Sequence, residues 1–125
     1  MRKVLLVDDY EGVLSLVHAT LRNDERYQIL LARDGEEALD LARLEKPDLI
    51  FMDIMMPKTD GYSVCRVLKD DPDTSQIKVV LLTALDTEFS RDRGMEAGAV
   101  DYITKPFSPI ALLEKVDDIL GIEPI

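Results

Sequence analysis

Pro47-Asp48-Leu49-Ile50-Phe51-Met52-Asp53-Ile54-Met55-Met56-Pro57 is the stretch on which the fold turns. Leu49 to Met52 are apolar without alternation, the pattern of a strand covered on both faces, as in a parallel sheet. The run closes on Asp53, and a carboxylate at the mouth of a buried strand is costly unless something pairs with it. A second run, Val4-Leu5-Leu6-Val7, ends in Asp8 and Asp9. With the two strands side by side, three carboxylates converge at one sheet edge. Such a cluster suits a hard divalent cation, and one of the three is a candidate nucleophile.

Outward from these two runs, apolar segments alternate with amphipathic ones. Strands are predicted at Val4–Val7, Tyr27–Leu31, Leu49–Met52, Val79–Leu82 and Val100–Ile103. Val13, Leu14, Val17 and Leu21 share one face of a first helix. Asp34 and Glu37 have capping-box spacing for a second, which Pro47 ends. Asp60-Gly61 opens a third, with Val64 and Leu68 on one side. A fourth runs from about Asp86 to Ala97, weakened by Gly94 and capped by Gly98. Ser108-Pro109 is an N-cap with proline at N1, leading into Leu112, Leu113, Val116 and Leu120, and Gly121 stops that helix. Five βα units imply an α/β fold, an open parallel sheet with helices on both faces.

The 125 residues, 46 % hydrophobic and 6 % aromatic, fit one domain with an aliphatic core. That domain is expected over 1–125, with a core from about residue 3 to 121 and residues 122–125 a tail or the start of a linker. A net charge of −10 argues against direct binding of nucleic acid or of an anionic membrane surface. Cys65, the only cysteine, excludes an intrachain disulfide and reads as a small buried apolar residue in a reducing compartment. The N-terminal apolar stretch stops at two aspartates and is too short for a signal peptide, and no run is long enough to span a membrane. A cytoplasmic location is expected.

In open parallel sheets ligands gather beyond the carboxyl ends of the strands. Asp8 and Asp9 follow strand one, Asp53 ends strand three, Thr83 follows strand four, and Lys105 follows strand five. With Asp8-Asp9, Asp53 and Met56-Pro57, Asp60-Gly61, Thr83-Ala84, Tyr102 and Lys105-Pro106-Phe107, the chain resembles a response-regulator receiver domain of two-component signalling, of the chemotaxis-regulator kind. The resemblance implies a flavodoxin-like, doubly wound five-stranded sheet of order 2-1-3-4-5.

It also implies roles. Asp53 is the phosphoacceptor. Asp9 and Asp53 ligate Mg²⁺ directly, with Mn²⁺ able to substitute; Asp8 acts mostly through a bound water, and the Met55 backbone carbonyl adds an oxygen. The competing role for one of Asp8 and Asp9 is to cap the first helix. Lys105 neutralises the phosphoryl group, aimed by a cis Lys105-Pro106 bond. Thr83 hydrogen-bonds a phosphoryl oxygen, Ala84 leaves room for the donor, and Thr83 and Tyr102 are the switch pair. The altered surface is the face of helix 4, strand 5 and helix 5.

Function follows as a phosphorylatable switch, not a turnover enzyme, catalysing only its own phosphorylation and dephosphorylation. Its partners are a histidine kinase or phosphotransfer protein, an output domain or partner protein, and a second copy through the helix 4–strand 5–helix 5 face. Met55 and Leu85, both apolar, predict a long-lived phosphorylated state by hindering water. His18 reads as a surface or packing residue, and Met52, Met55 and Met56 as packing rather than a copper site. Three alternatives compete. A phosphohydrolase of the haloacid-dehalogenase type wants an aspartate where Met55 stands. An FMN binder wants a phosphate-cradling loop where Asp8 and Asp9 stand. A degenerate receiver docks partners without phosphorylation.

Overall fold

The computed structural model describes residues 2–56, 58–84 and 88–121. Pro57, Leu85 and Asp86, named above, and the tail at 122–125 lie outside the described residues. Five strands, β1 (Arg2–Val7), β2 (Tyr27–Ala32), β3 (Leu49–Asp53), β4 (Lys78–Thr83) and β5 (Asp101–Thr104), form one parallel sheet in the order β2-β1-β3-β4-β5. Helices α1 (Glu11–Leu21), α2 (Gly35–Glu45), α3 (Gly61–Asp70), α4 (Glu88–Glu96) and α5 (Pro109–Leu120) connect and follow them. This is the flavodoxin-like, doubly wound order expected from the sequence.

The apolar runs divide between two cores because successive strand residues point to opposite faces. Leu5, Val7, Ile50, Met52, Val79 and Leu81 point one way, against Ala38 and Ala42 of α2 and Val64, Cys65 and Leu68 of α3. Val4, Leu6, Leu49, Phe51, Val80 and Leu82 point the other way, against Leu14, Val17 and Leu21 of α1 and Leu112 and Val116 of α5. Every residue of β3 is buried. Each large side chain so placed contributes about 1.5–3 kcal/mol relative to exposure. The side chains of both cores are overwhelmingly aliphatic, as the composition implied.

Local chemistry sets the helix ends. The Asp34 carboxylate accepts from Glu37 N at 2.8 Å and Asp60 from Ser63 N at 2.8 Å, while Ser108 Oγ accepts from Ala111 N at 3.1 Å. Gly121 ends α5 with φ 66°, a left-handed conformation that glycine enters without a Cβ penalty. Two expectations shift. β5 runs Asp101–Thr104 rather than 100–103; it is an edge strand with all four residues half-buried, so its pattern marks its ends weakly. The N-cap of α1 is Tyr10, so that role falls to neither Asp8 nor Asp9.

α4 differs from its neighbours. It exposes Glu88, Arg91, Asp92, Arg93, Met95 and Glu96 and buries Gly94. Among the described residues no helix is long and apolar enough to cross a membrane.

Candidate functional site

The register of the sheet decides what meets at its carboxyl edge. Val7 pairs with Met52, so Asp8 emerges from β1 beside Asp53 at the end of β3. Asp53 pairs with Leu82, so Thr83 emerges one step further along β4. Thr83 pairs with Thr104, and Lys105 follows, its N–H donating to Thr83 O at 2.7 Å. The Lys105–Pro106 peptide is cis.

Asp8 is fully buried and Asp53 is 5 % exposed, whereas Asp9 faces solvent. One carboxylate oxygen from each of Asp8, Asp9 and Asp53 lies within 4.8 Å of the other two. Both oxygens of Asp8 are engaged: Oδ1 accepts from Tyr10 N at 3.0 Å and Oδ2 from Lys105 Nζ at 2.7 Å. Lys105 Nζ also stands 3.3 Å from Asp53 Oδ2, and Asp53 Oδ1 accepts from Met55 N at 3.2 Å. One ammonium thus faces two buried carboxylates, and a third carboxylate stands at the rim.

The charge imbalance shows in the titration of Asp53. Burial, and then the negative charge of Asp8, push its carboxyl up to about 6, against the opposing pull of Lys105 and the Met55 N–H. Lys105 is shifted upward: burial works against its charged form, and the bond to Asp8 and the charges of Asp8 and Asp53 outweigh it.

The donor set fits a hard divalent ion. Mg²⁺ bonds oxygens at 2.0–2.1 Å, so two of its ligands stand at most about 4.2 Å apart. The observed spread exceeds that by little, and Lys105 holds Asp8 while Asp9 faces the opening. Met55, 74 % exposed, lies in the loop after β3, and an isolated antiparallel bridge ties it to Asp60. An open depression beside the carboxylates is lined by Asp9, Met55, Lys58, Asp60, Tyr62 and Arg93.

The remaining candidates lie at graded distances from this cluster. Thr83 is 6 % exposed at the strand end, and Ala84 beside it is exposed. Tyr102 pairs with Leu81, below the strand ends, and borders a small cleft with Ile54, Leu81, Thr83 and Gly94. The Arg91 guanidinium carbon lies 4.8 Å from the centroid of its ring, within cation–π range. Nothing in the periodicity of so polar a helix singled out Arg91. His18 is exposed on α1. Met52 is fully buried while Met55 is exposed, so these thioethers do not converge. Burial pushes the Cys65 thiol up to about 11, leaving it protonated and unreactive at neutral pH.

Residues 4–117 match the family described as the response regulator receiver domain. Among curated proteins the chain is similar to the response regulator PleD of Caulobacter vibrioides, 46 % identical over 91 % of this chain and 25 % of PleD. It is also similar to the alkaline phosphatase synthesis transcriptional regulatory protein PhoP of Bacillus subtilis, 44 % identical over 95 % of this chain and 48 % of PhoP. The chain therefore spans a quarter to a half of the length of these relatives. Among solved structures, the receiver domain of the sensor histidine kinase PA1611 from Pseudomonas aeruginosa superposes with a TM-score of 0.85 at 30 % identity, covering 96 % of this chain and 98 % of that one. That structure holds a magnesium ion coordinated in its active-site cleft. Sheet order, the converging strand ends and these matches agree: the chain belongs to the response regulator receiver domain family of two-component signalling.

Proposed function

We propose that the chain works as a phosphorylatable switch with Asp53 as acceptor, as a single receiver unit over 1–125 with its core at about 3–121. The observation that carries this reading is Lys105 Nζ, set 2.7 Å from Asp8 and 3.3 Å from Asp53 at the carboxylate edge. An ammonium there is poised to accompany a phosphoryl oxygen. Phosphoryl transfer rests mainly on in-line positioning and charge neutralisation, and these residues offer both.

In the proposed step an Asp53 carboxylate oxygen forms a bond to phosphorus as the bond from phosphorus to the donor's imidazole nitrogen breaks. Asp9 and Asp53 would hold Mg²⁺, or Mn²⁺ in its place, with the Met55 carbonyl, and Asp8, which anchors Lys105, would act through a bound water. When bound, the ion neutralises charge between carboxylate and phosphoryl group. The related receiver with magnesium in its cleft supports this assignment. Lys105 follows the equatorial oxygens, Thr83 donates its hydroxyl to one of them, and the small Ala84 leaves the donor a path.

New contacts at Thr83 and Lys105 stabilise one arrangement over another, which is what a population shift requires. Thr83 and Tyr102 border the same cleft under α4, so a movement of one changes the space open to the other. Among its described residues α4 buries only Gly94, so little of what is described holds it in place. The altered face is α4, β5 and α5, which an output domain, a partner protein or a second copy would read. The donor is a histidine kinase or phosphotransfer protein in the cytoplasm. Met55, exposed and lining the depression beside the carboxylates, would shield the acyl phosphate from water. Polar replacements of Met55 and Leu85 are expected to speed its hydrolysis, and an unchanged rate would remove this role from both.

Intact-protein mass spectrometry after incubation with acetyl phosphate and Mg²⁺ tests the central reading. One phosphoryl group is gained by the wild type, and none by Asp53→Asn or without Mg²⁺. No gain by folded wild-type protein with Mg²⁺ present would leave a domain that docks partners without phosphorylation.

A further inference from the structure

Gly35, the first residue of α2, touches none of the carboxylates, yet it has no space for a side chain. A Cβ there would stand 2.5 Å from Thr59 Oγ1 and 2.8 Å from Val64 Cγ2, both far inside van der Waals contact. Its backbone is helical, so what glycine supplies here is the missing side chain rather than conformational freedom. Val64 lies 3 % exposed inside α3, where a β-branched side chain has one favoured rotamer and cannot turn away. Added volume at position 35 therefore has to displace Val64 or the exposed side chain of Thr59, and the exposed Thr59 yields first.

Thr59 is the residue before Asp60, and Asp60 is where the loop after β3 closes. Asp60 bridges to Met55 and caps α3 through Ser63 N at 2.8 Å. Next to it, Gly61 N donates to Ile54 O at 2.8 Å. Gly61 is pressed against the acceptor strand itself, since a Cβ on it would stand 2.4 Å from Asp53 O. The close contacts run unbroken from α2 through Thr59 and Asp60-Gly61 to Ile54, Met55 and Asp53.

We propose that Gly35 is a positioning residue for the divalent-cation site: lacking a side chain, it lets α2 seat against Thr59 and so fixes the Met55 carbonyl relative to Asp53. This rests on the metal reading of the preceding section. It makes the start of α2, a helix with no residue at the strand edge, part of what sets metal affinity.

The test compares wild type, Gly35→Ala, Thr59→Ala and the double variant by calorimetric titration with Mg²⁺ and by urea unfolding without it. Gly35→Ala is expected to weaken Mg²⁺ binding roughly tenfold or more, the range for groups that orient a metal ligand. Thr59→Ala removes Oγ1 and leaves the Val64 contact. The double variant should therefore bind Mg²⁺ within about twofold of Thr59→Ala alone, while its urea midpoint stays lowered. Gly35→Ala binding Mg²⁺ like wild type overturns the proposal, as does a double variant no better than the single one. Should Gly35→Ala not fold, Thr59→Ile crowds the same contact from the loop side; weakened Mg²⁺ binding is expected, and unchanged binding overturns the proposal. Wild-type protein that unfolds cooperatively yet ignores Mg²⁺ overturns the metal reading itself, and this inference with it.

Discussion

The two ends of the sheet handle charge in opposite ways. At the amino edge three cations each have a partner of their own: Lys3 Nζ sits 3.2 Å from Glu45, Arg2 lies 3.7 Å from Asp48, and Lys78 Nζ donates to Ile119 O at 3.1 Å. Asp48 also accepts from the Lys3 N–H at 2.8 Å. Water reaches all of these groups, the Lys3–Glu45 and Arg2–Asp48 side chains being a third to a half exposed, and pairs of that kind contribute little. At the carboxyl edge three carboxylates crowd one ammonium, and two of the three are buried. An arrangement selected for stability alone would not leave negative charge in excess inside a protein. The excess marks the end to which the proposed function assigns a cation and a phosphoryl group, and the amino edge has no such excess.

The sharpest way to break this contrast is to remove the shared ammonium. Lys105→Ala leaves fully buried Asp8 without its 2.7 Å partner. Stranding a buried charge costs roughly 3–5 kcal/mol, and the partial exposure of Lys105 puts the expected loss near the lower figure. Urea unfolding without divalent ions measures it. Mg²⁺ should narrow the gap to wild type, since removing the Lys105 charge beside Asp8 and Asp53 tightens cation binding to the variant, and the tighter native-state binder gains more by mass action. A loss below about 1 kcal/mol, the value of an exposed pair, would show the two edges to be alike.

Neutralising the proposed acceptor should act in the other direction. Asp53→Asn relieves the carboxylate repulsion and is expected to stabilise the ion-free fold by roughly 1–3 kcal/mol at neutral pH, bounded above by the upward shift of its titration at about 1.4 kcal/mol per unit. The same variant should lose the stabilisation by Mg²⁺. A destabilised Asp53→Asn would mean that Lys105 already balances the cluster.

The sequence carried the parts of this contrast that depend on position along a strand. Asp8, Asp9, Asp53, Thr83 and Lys105 each follow an apolar run, and a parallel sheet must bring such residues to one edge. Caps at Asp34, Asp60 and Ser108 were equally legible, since each depends on residues within one turn. Pairings between distant residues left no such mark. That Lys105 stands nearer Asp8 than Asp53 depends on the backbone beyond β5, and that Tyr10 both caps α1 and holds Asp8 through its N–H has no side-chain signature. The fit of Gly35 to Thr59 joins residues 24 positions apart, with no period connecting them.

The pH dependence refines the comparison. Asp53 titrates near 6 in the native state and near its ordinary 3.8 when unfolded. Above 6 both states are ionised and the native one bears the full repulsion. As pH falls through 6, the native state takes up a proton that the unfolded state does not, so this group's contribution to stability rises. The advantage of Asp53→Asn over wild type should accordingly shrink between pH 7 and pH 5 in ion-free buffer. A constant gap across that interval would place the Asp53 titration outside it. Mg²⁺ binding should weaken over the same interval, because the ion and the proton compete for one carboxylate.

The smallest effect is expected at the amino edge, and it sharpens the contrast by its size. Lys3→Ala removes the 3.2 Å pair with Glu45, whose partners are each about a third exposed. The expected cost is about 0.2–1 kcal/mol, within the range of solvent-exposed pairs, and added salt should erase most of it. The salt response separates the two edges more cleanly than the energies do. Screening acts on charges that water and ions can reach, so the Lys105→Ala loss, which comes from the buried Asp8 carboxylate, should persist at high salt. If both losses faded together, the carboxyl edge would be as open to solvent as the amino edge, and the buried excess of charge would no longer distinguish the functional end of the sheet.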